Sequence, residues 1–337
     1  MILVKRIKGI FDRQGKKCII KLLIGRLSRV YNIAQLEKEM RRYVFTMSNI
    51  KKIDAHMHFS AKGIFDETAK QLLNVECSLK EIKREFDECN IVAGVGMGVD
   101  KSGEGDRTNP LVIAHGQESF PPYMVQCLGV DPNVITDKNR LDVLSAFEAK
   151  MDEPSTVGIK IYTGYQPFYA TDDLYKPFYE LAAKYDLPVV FHMGDTANSM
   201  GKLKYSHPLI IDDLAVDYPK NRFVIAHCGT PWVADAAEVA AKNANVFIDL
   251  SGLMEGRFDG AEQVEKFKPY LDVFRTWFNY LEKYEKLMYG SDWPLVNMKD
   301  YITVIESIIP EDRWEDVFYN NALNVFDRLN DYLKNNR

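Results

Sequence analysis

Apolar and polar positions follow a regular pattern from residue 52 onward. Short apolar runs rich in Val and Ile end in Gly, Asp or His, and longer stretches with helical periodicity separate them. The eight apolar runs are 52–59, 90–99, 123–130, 157–164, 187–194, 222–229, 245–252 and 286–293. Strands that alternate with helices form parallel sheets with right-handed crossovers. Eight such units in roughly 250 residues are typical of a (β/α)8 barrel, a TIM barrel, so we predict this α/β fold over residues 51–337.

A doubly wound parallel sheet is the alternative architecture for this pattern. It usually has fewer strands and a phosphate-binding, glycine-rich turn after one of them. Neither GxGxxG nor GxxxxGK[ST] follows any predicted strand, and "GVGMGVD" is too loose a match. The sequence therefore favours the barrel.

Residues 1–50 differ from the rest of the chain in charge. They hold twelve Lys and Arg against three acidic residues, although the whole chain has a formal net charge of −5. The segment "IIKLLIGRLSRVYNIAQLEKEMRRYVF" has helix-like apolar spacing with basic residues between, so we predict a basic helical extension. It could bind an acidic partner or an anionic membrane surface, or pack on the barrel or a second subunit, and we favour packing.

Composition excludes several classes of protein. The chain is 46% hydrophobic and 27% charged, which is ordinary for a globular protein, and its net negative charge gives no reason to expect a nucleic-acid partner. No apolar run reaches the roughly 18 residues needed to span a bilayer. The N-terminal run "CIIKLLIG" is interrupted by Lys21 and lacks a cleavage site. Five scattered cysteines without CxxC indicate reduced thiols, so we expect a cytoplasmic protein without an integral membrane segment.

Polar side chains stand where several predicted strands end, which is where barrels of this type carry their catalytic groups. His56 and His58 end the first run, His192 the fifth, His227 the sixth and Asp292 the eighth. Side chains at i and i+2 of a strand point the same way, so His56 and His58 share a face. The same alternation turns the other three inward between helix-facing neighbours, and we expect all five to converge.

Several imidazoles and one carboxylate form a ligand set that suits Zn²⁺, with Mn²⁺ or Fe²⁺ as alternatives. A single histidine at a strand end is more often a hydrogen-bonded polar residue than a ligand. Burying this many polar groups without a metal or mutual hydrogen bonds would, however, be costly. The sequence therefore predicts a site for a divalent metal, with zinc as the first choice.

With these residues in place, the sequence resembles the amidohydrolase superfamily, in particular its amidohydrolase-2 branch of metal-dependent hydrolases, lactonases and decarboxylases. The motifs that carry the resemblance are "DAHMHF", "FHMGD", "AHCGTPW", "YGSDWP" and the terminal "YNNALNVF". They span residues 52–330, nearly all of the chain beyond the basic extension. HxH alone is moderately specific, whereas the ordered set is a strong signal.

The resemblance implies that His56, His58, His192 and Asp292 ligate one divalent metal. For His227 it implies a hydrogen bond to the metal-bound water or the substrate, with ligation as the alternative. The chemistry of these residues agrees. A metal lowers the pKa of bound water to roughly 7, and Asp292 can take that proton and return it to a leaving group. His227 can polarise a carbonyl or hold the nucleophile.

Lys160 is a basic residue within an apolar strand, where Ile159 and Ile161 would face the helices and the lysine the barrel interior. In binuclear members of the superfamily a lysine on strand four is carboxylated and bridges two metals. Here we expect an ammonium that binds Asp292 or a substrate anion, with a second metal only if Lys160 is carboxylated.

Weaker candidates lie in the predicted loops. Asp195 in "HMGD" could support a ligand histidine, and we expect His115 and His207 to be structural. The further candidates for substrate binding are Tyr162, Thr163, Tyr165 and Gln166 after strand four, Arg107 after strand two and Arg257 after strand seven.

These features favour a metal-dependent hydrolase that acts on an amide, ester or lactone bond of a small substrate. Non-oxidative decarboxylation of an aromatic or unsaturated acid is the alternative, and an arginine clamp for a carboxylate would distinguish it, for which only Arg107 and Arg257 are candidates. A catalytically silent barrel used as a binding scaffold predicts missing ligands, and none is missing. The branch often forms dimers, so a homodimer that involves residues 1–50 is a further expectation.

Overall fold

Eight parallel strands form a nearly closed barrel in the computed structural model, which describes residues 50–59, 65–98, 111–112, 121–197 and 199–335. The parallel strands follow the order β1-β2-β4-β5-β6-β7-β8-β9, and β3 pairs antiparallel with β4. The strands are β1 (Lys52–Met57), β2 (Ile91–Met97), β3 (Leu111–Val112), β4 (Met124–Val130), β5 (Thr156–Ile161), β6 (Val189–Phe191), β7 (Phe223–Ile225), β8 (Val246–Asp249) and β9 (Leu287–Met288). The predicted TIM barrel is confirmed.

The two ends of the sheet meet where β1 runs beside the chain after β9. Ala55 N donates to Tyr289 O at 2.9 Å, and Asp292 N donates to His56 O at 2.8 Å. These bonds continue the parallel ladder around the ring and bring the first and last predicted motifs side by side.

Helices occupy most connections between the strands. They are α1 (Asp66–Leu72), α2 (Leu79–Cys89), α3 (Arg140–Met151), α4 (Lys176–Tyr185), α5 (Ile210–Asp217), α6 (Val233–Lys242), α7 (Gly260–Lys266), α8 (Lys268–Leu281), α9 (Met298–Ile308), α10 (Asn321–Val325) and α11 (Asp327–Asn335). Short helical turns cover Pro132–Val134, Leu203–Tyr205, Ala226–Gly229, Tyr284–Lys286, Glu311–Arg313 and Asp316–Asn320. No helix in the described part of the chain is long and apolar enough to cross a membrane.

Helix α2 shows how local sequence sets these elements. The Ser78 hydroxyl accepts a hydrogen bond from Glu81 N at the helix start, and the helix ends at Asn90, whose φ of 55° is left-handed. Ile82 and Phe86 lie four residues apart and are both buried, so they form one apolar stripe against the barrel.

Two apolar clusters hold the layers together. In the larger one, strand residues such as Ile159 and Phe191 pack against helical residues such as Phe178. In the other, residues of β1, β2 and β4 join the C-terminal helices through side chains that include Val95 and Leu329. Because both clusters are almost fully buried, they supply the rigid frame that a site at the strand ends requires.

The predicted basic extension over residues 1–50 lies outside the described residues, apart from its last position. Arg107 and His115 also lie outside them. The predicted division at residue 51 therefore stays a prediction.

Candidate metal centre

Five predicted side chains come together beyond the carboxyl ends of the strands. His56, His227 and Asp292 each offer a ligand atom, and these atoms lie within 4.8 Å of one another. His58 Nε2 is 3.1 Å from Asp292 Oδ1. The ring centroids of His192 and His227 are 4.8 Å apart. The convergence expected from the strand ends is present, and the tight three-residue group includes His227.

His227 and Asp292 lie beyond the ends of their strands, so the alternation of side chains along a strand does not explain why they point to the centre. Strand β7 ends at Ile225 and β9 at Met288, earlier than the apolar runs suggested. Both residues then adopt left-handed backbone, with φ of 58° for His227 and 63° for Asp292. This conformation is uncommon outside glycine, and it redirects each side chain sharply at a strand end.

Asp249, at the end of β8, is a central residue that our sequence analysis missed. Its Oδ2 accepts a hydrogen bond from His56 Nδ1 at 2.8 Å. Its Oδ1 accepts from His227 N and Ser251 N, each at 3.1 Å, and from the Ser251 hydroxyl. An aspartate that ends an apolar run, in "FIDLSG", is the same signal that singled out the histidines.

Burial alone would raise the pKa of Asp249, but the adjacent His56 imidazole and its hydrogen bond, with further help from His227, hold it below its usual range. The pKa of Asp292 is lowered in the same way. Burial opposes its ionisation, whereas His227 and His58 bring the pKa below the usual range. Both carboxyl groups are therefore ionised at neutral pH.

The donor set fits a divalent cation. Asp292 Oδ1 and His58 Nδ1 are buried atoms to which the described residues supply no aligned hydrogen bond. Buried polar atoms are normally satisfied, so these two are atoms that a bound metal or its surroundings would satisfy. A carboxylate with neighbouring imidazoles is a common ligand set for zinc and related ions.

Burial keeps three of the imidazoles, those of His56, His192 and His227, in the neutral form that a metal requires. Burial, followed by the Lys160 ammonium, lowers the pKa of His56 to about 3. Burial and the neighbouring His227 lower the pKa of His192 well below its ordinary value. His192 Nε2 donates to the backbone carbonyl of Asp195 at 2.8 Å, which leaves Nδ1 with its lone pair. His192 therefore contacts the main chain of Asp195, whereas the Asp195 carboxylate accepts a hydrogen bond from Thr196 N.

Lys160 lies fully buried on β5, with Nζ 3.4 Å from His56 Nε2. Burial lowers its pKa to about 8, although Asp249 and Asp292 pull it upward. Nζ also lies 5.0 Å from the ring centroid of Tyr162. Lys160 therefore lies in the barrel interior, as predicted, next to the histidine cluster.

Two further candidates for substrate binding, Tyr165 and Arg257, differ in whether they contact the histidine cluster. Tyr165 packs edge-on against His192 with ring centroids 4.6 Å apart, and its hydroxyl accepts from Ala197 N at 2.8 Å. Arg257 is exposed, and its guanidinium donates to Leu73 O at 3.2 Å. Tyr165 thus lines the histidine cluster, whereas Arg257 is held by the segment after α1.

Gly252 is closely packed against this centre. A Cβ at this position would lie 2.6 Å from His227 Nδ1 and 3.1 Å from Asp292 Oδ2, and its φ is 63°. Gly252→Ala should displace the imidazole and lower turnover about 100-fold. The backbone cost to the free energy of unfolding should be only about 1 kcal/mol. Steady-state kinetics and denaturant unfolding measure the two effects.

Gly256→Ala is the matched control for that substitution. Gly256 has a similar positive φ of 85°, but nothing lies within 4 Å of the place that a Cβ would take there. It should show the backbone cost without the loss of turnover. Equal turnover in the two variants would contradict the close contact at Gly252.

Comparisons with known proteins identify a family and a fold that this chain matches. The amidohydrolase-2 family, described as amidohydrolase, matches residues 53–328. No curated protein sequence matches the chain significantly. An uncharacterised TIM-barrel protein from Bordetella bronchiseptica is 18% identical with a TM-score of 0.61, and the alignment covers 83% of this chain and 99% of that one.

Two further solved structures share the fold. The 5-carboxyvanillate decarboxylase from Sphingomonas paucimobilis is 13% identical with a TM-score of 0.56, over 83% of this chain and 99% of its own. A probable 2-pyrone-4,6-dicarboxylic acid hydrolase from Acinetobacter baumannii, with citric acid bound, is 17% identical with a TM-score of 0.54, over 82% and 99%. At these identities the likeness establishes the barrel fold.

Proposed function

The chain belongs to the amidohydrolase-2 family of metal-dependent enzymes, and from that premise we propose that it is a hydrolase of an amide, ester or lactone bond in a small substrate. The observation that carries the proposal is the group formed by His56, His227 and Asp292 within 4.8 Å. It joins a buried, ionised carboxylate to neutral imidazoles at the strand ends, which is where barrels of this type place their chemistry.

His56, His58, His192 and Asp292 are the proposed ligands of one divalent metal, with zinc as the first choice and manganese or iron as alternatives. When bound, such an ion supplies a water of lowered pKa and polarises a substrate oxygen. A second metal would need Lys160 as a carboxylated bridge. Two equivalents of metal per chain would support that bridge, and one would exclude it.

Asp292 and His227 are the proposed catalytic residues. The depressed pKa of Asp292 keeps its carboxylate ionised, which is the form that can accept a proton and then deliver it to the leaving group. His227 lies beside it, with Nδ1 3.9 Å from Asp292 Oδ2, and would hold the nucleophile or the substrate carbonyl in place.

Lys160, Tyr162 and Tyr165 are the proposed substrate-binding residues near the centre. The Lys160 ammonium lies next to His56 and the Tyr165 ring next to His192, and the Tyr162 ring lies beside the ammonium. Arg107 and Arg257 stay weaker proposals. Arg257 already donates to Leu73 O, and its use in binding would require the guanidinium to leave that carbonyl.

The arrangement of arginines favours hydrolysis over decarboxylation. The described arginines contact groups away from the cluster, namely Arg84 with Glu88, Arg140 with Asp137, Arg222 with Asp186, Arg257 with Leu73, Arg275 with Ser307, Arg313 with Asp312 and Arg328 with Met151. A bidentate clamp for a substrate carboxylate is therefore not formed by this part of the chain.

A paired substrate screen tests the proposed reaction. One panel contains esters, lactones and amides, and the other contains hydroxybenzoates and muconate-type acids with carbon dioxide as the measured product. We expect turnover in the first panel that a chelator abolishes and added Zn²⁺ restores. Carbon dioxide release from the second panel, without hydrolysis in the first, would overturn the proposal in favour of a decarboxylase.

A further inference from the structure

We propose that Asp249 is a positioning residue that sets the tautomers of two histidines at once, His56 directly and His227 through the Ser251 hydroxyl. Each imidazole then carries its proton on Nδ1 and presents the lone pair of Nε2. This inference deepens the proposed function, because both rings belong to its site. The tautomers themselves exist without metal, substrate or turnover.

The contact with His56 leaves one consistent proton arrangement. Asp249 Oδ2 lies 2.8 Å from His56 Nδ1, and a carboxylate can only accept. Nδ1 must therefore donate, and Nε2 is the unprotonated nitrogen. Nε2 faces the centre, since it is 3.4 Å from Lys160 Nζ and 3.6 Å from Asp292 Oδ1.

The contact with His227 follows from counting the protons of Ser251. The single hydroxyl proton of Ser251 is donated to Asp249 Oδ1. The same hydroxyl oxygen lies 3.0 Å from His227 Nδ1, and it has no second proton to donate there. His227 Nδ1 must then donate to Ser251 Oγ, which leaves Nε2 as the acceptor. The backbone N–H of His227 is bonded to the same Asp249 oxygen at 3.1 Å, so the carboxylate also fixes the position of this residue.

This arrangement sharpens the part of His227 in the proposed reaction. A neutral imidazole that lacks a proton on Nε2 accepts a hydrogen bond there and does not donate one. It would therefore hold the O–H of an attacking water, and it could polarise a carbonyl only after it had taken up a proton. Asp249 thereby favours a His227 that holds the attacking water over a His227 that polarises the substrate carbonyl.

Two other histidines provide references with the opposite tautomer. His192 Nε2 donates to Asp195 O at 2.8 Å, and His207 Nδ1 accepts from Leu209 N at 3.3 Å. Both should carry their proton on Nε2. A single spectrum should thus contain both kinds of ring.

The test is long-range ¹H–¹⁵N NMR of the metal-free, ¹⁵N-histidine-labelled chain, with rings assigned from His56→Gln and His227→Asn spectra. We expect protonated Nδ1 for His56 and His227, and protonated Nε2 for His192 and His207. Protonated Nε2 at His56 or His227 in the unsubstituted protein would overturn the proposal, and this result needs no variant that must fold.

Two substitutions separate the branches of the network. In Ser251→Ala, His227 should lose its fixed tautomer while His56 keeps its own. In Asp249→Asn, three donors hold the amide oxygen at the Oδ1 position, so the amide nitrogen should face His56 Nδ1. His56 should then switch to the Nε2-protonated tautomer, and Zn²⁺ affinity, measured by chelator competition, should fall about 10- to 100-fold. An unchanged His56 tautomer in Asp249→Asn, or an unchanged His227 in Ser251→Ala, would contradict the proposal.

If the tautomers are as expected but neither substrate panel is turned over, Asp249 keeps its positioning role and only the proposed reaction fails.

Discussion

Asp292→Asn should reduce turnover by about 10³-fold or more while the protein still binds metal. Asn is nearly isosteric and tolerates the φ of 63° at this position better than most residues, so the backbone should keep its path. The amide cannot accept a proton at neutral pH, whereas three imidazoles and a carbonyl oxygen remain as ligands. We expect metal affinity to fall by no more than about 100-fold. Kinetics at saturating metal and chelator competition separate the two effects.

Asp186→Asn is the control for this substitution. Asp186 also has a left-handed backbone, with a φ of 51°, but it lies at the end of α4 beside Arg222. Its replacement should leave turnover and metal content unchanged. Full activity of Asp292→Asn at saturating metal would contradict the proton-transfer role of Asp292.

His227→Asn should lower turnover about 100-fold and change metal affinity by less than about tenfold. The substitution removes the imidazole that would orient the nucleophile, but it leaves the four proposed ligands in place. Asn again suits the left-handed backbone, and its N–H can still donate to Asp249. Kinetics and metal analysis of the same preparation provide the comparison.

A parallel loss of metal and turnover in His227→Asn would instead make His227 a ligand, as its place in the three-residue group allows. His207→Asn serves as the control, because His207 packs on Trp232 away from the cluster. It should behave like the unsubstituted protein.

The barrel could be predicted from the sequence because its strands are marked by apolar runs with clear ends. Eight runs and the helical stretches between them leave few architectures, and the eight parallel strands lie within or close to those runs. The lengths of the individual strands were less predictable. The run at 286–293 contains only two strand residues, Leu287 and Met288, because the chain leaves the sheet before Asp292 turns to the left-handed conformation.

The site was predictable where one strand end carries an unusual residue type, as with His56 and His192. Positions held by a common residue type were harder to recognise as part of the candidate site. Asp249 ends its strand in the same manner as the histidines, yet a single aspartate is common near loops and drew no attention. Its importance depends on contacts with His56 and Ser251, and these are tertiary contacts that no spacing in the sequence reveals.

The buried Asp54 illustrates the same limit. It accepts hydrogen bonds from Ser291 N at 2.8 Å and His56 N at 3.2 Å, and thereby ties β1 to the segment that carries Asp292. Burial raises its pKa to about 7. The motif "DAHMHF" contains this residue, but only the closed barrel shows that its partner lies 237 positions away in the chain.

Metal content is the most direct test of the central claim that His56, His58, His192 and Asp292 hold one divalent ion. The protein is purified from medium supplemented with zinc or manganese, and its metal is measured by mass spectrometry beside a His56→Gln variant of verified fold. We expect one equivalent per chain in the unsubstituted protein and a large loss in the variant. A folded, unsubstituted protein that retains no metal would contradict the account.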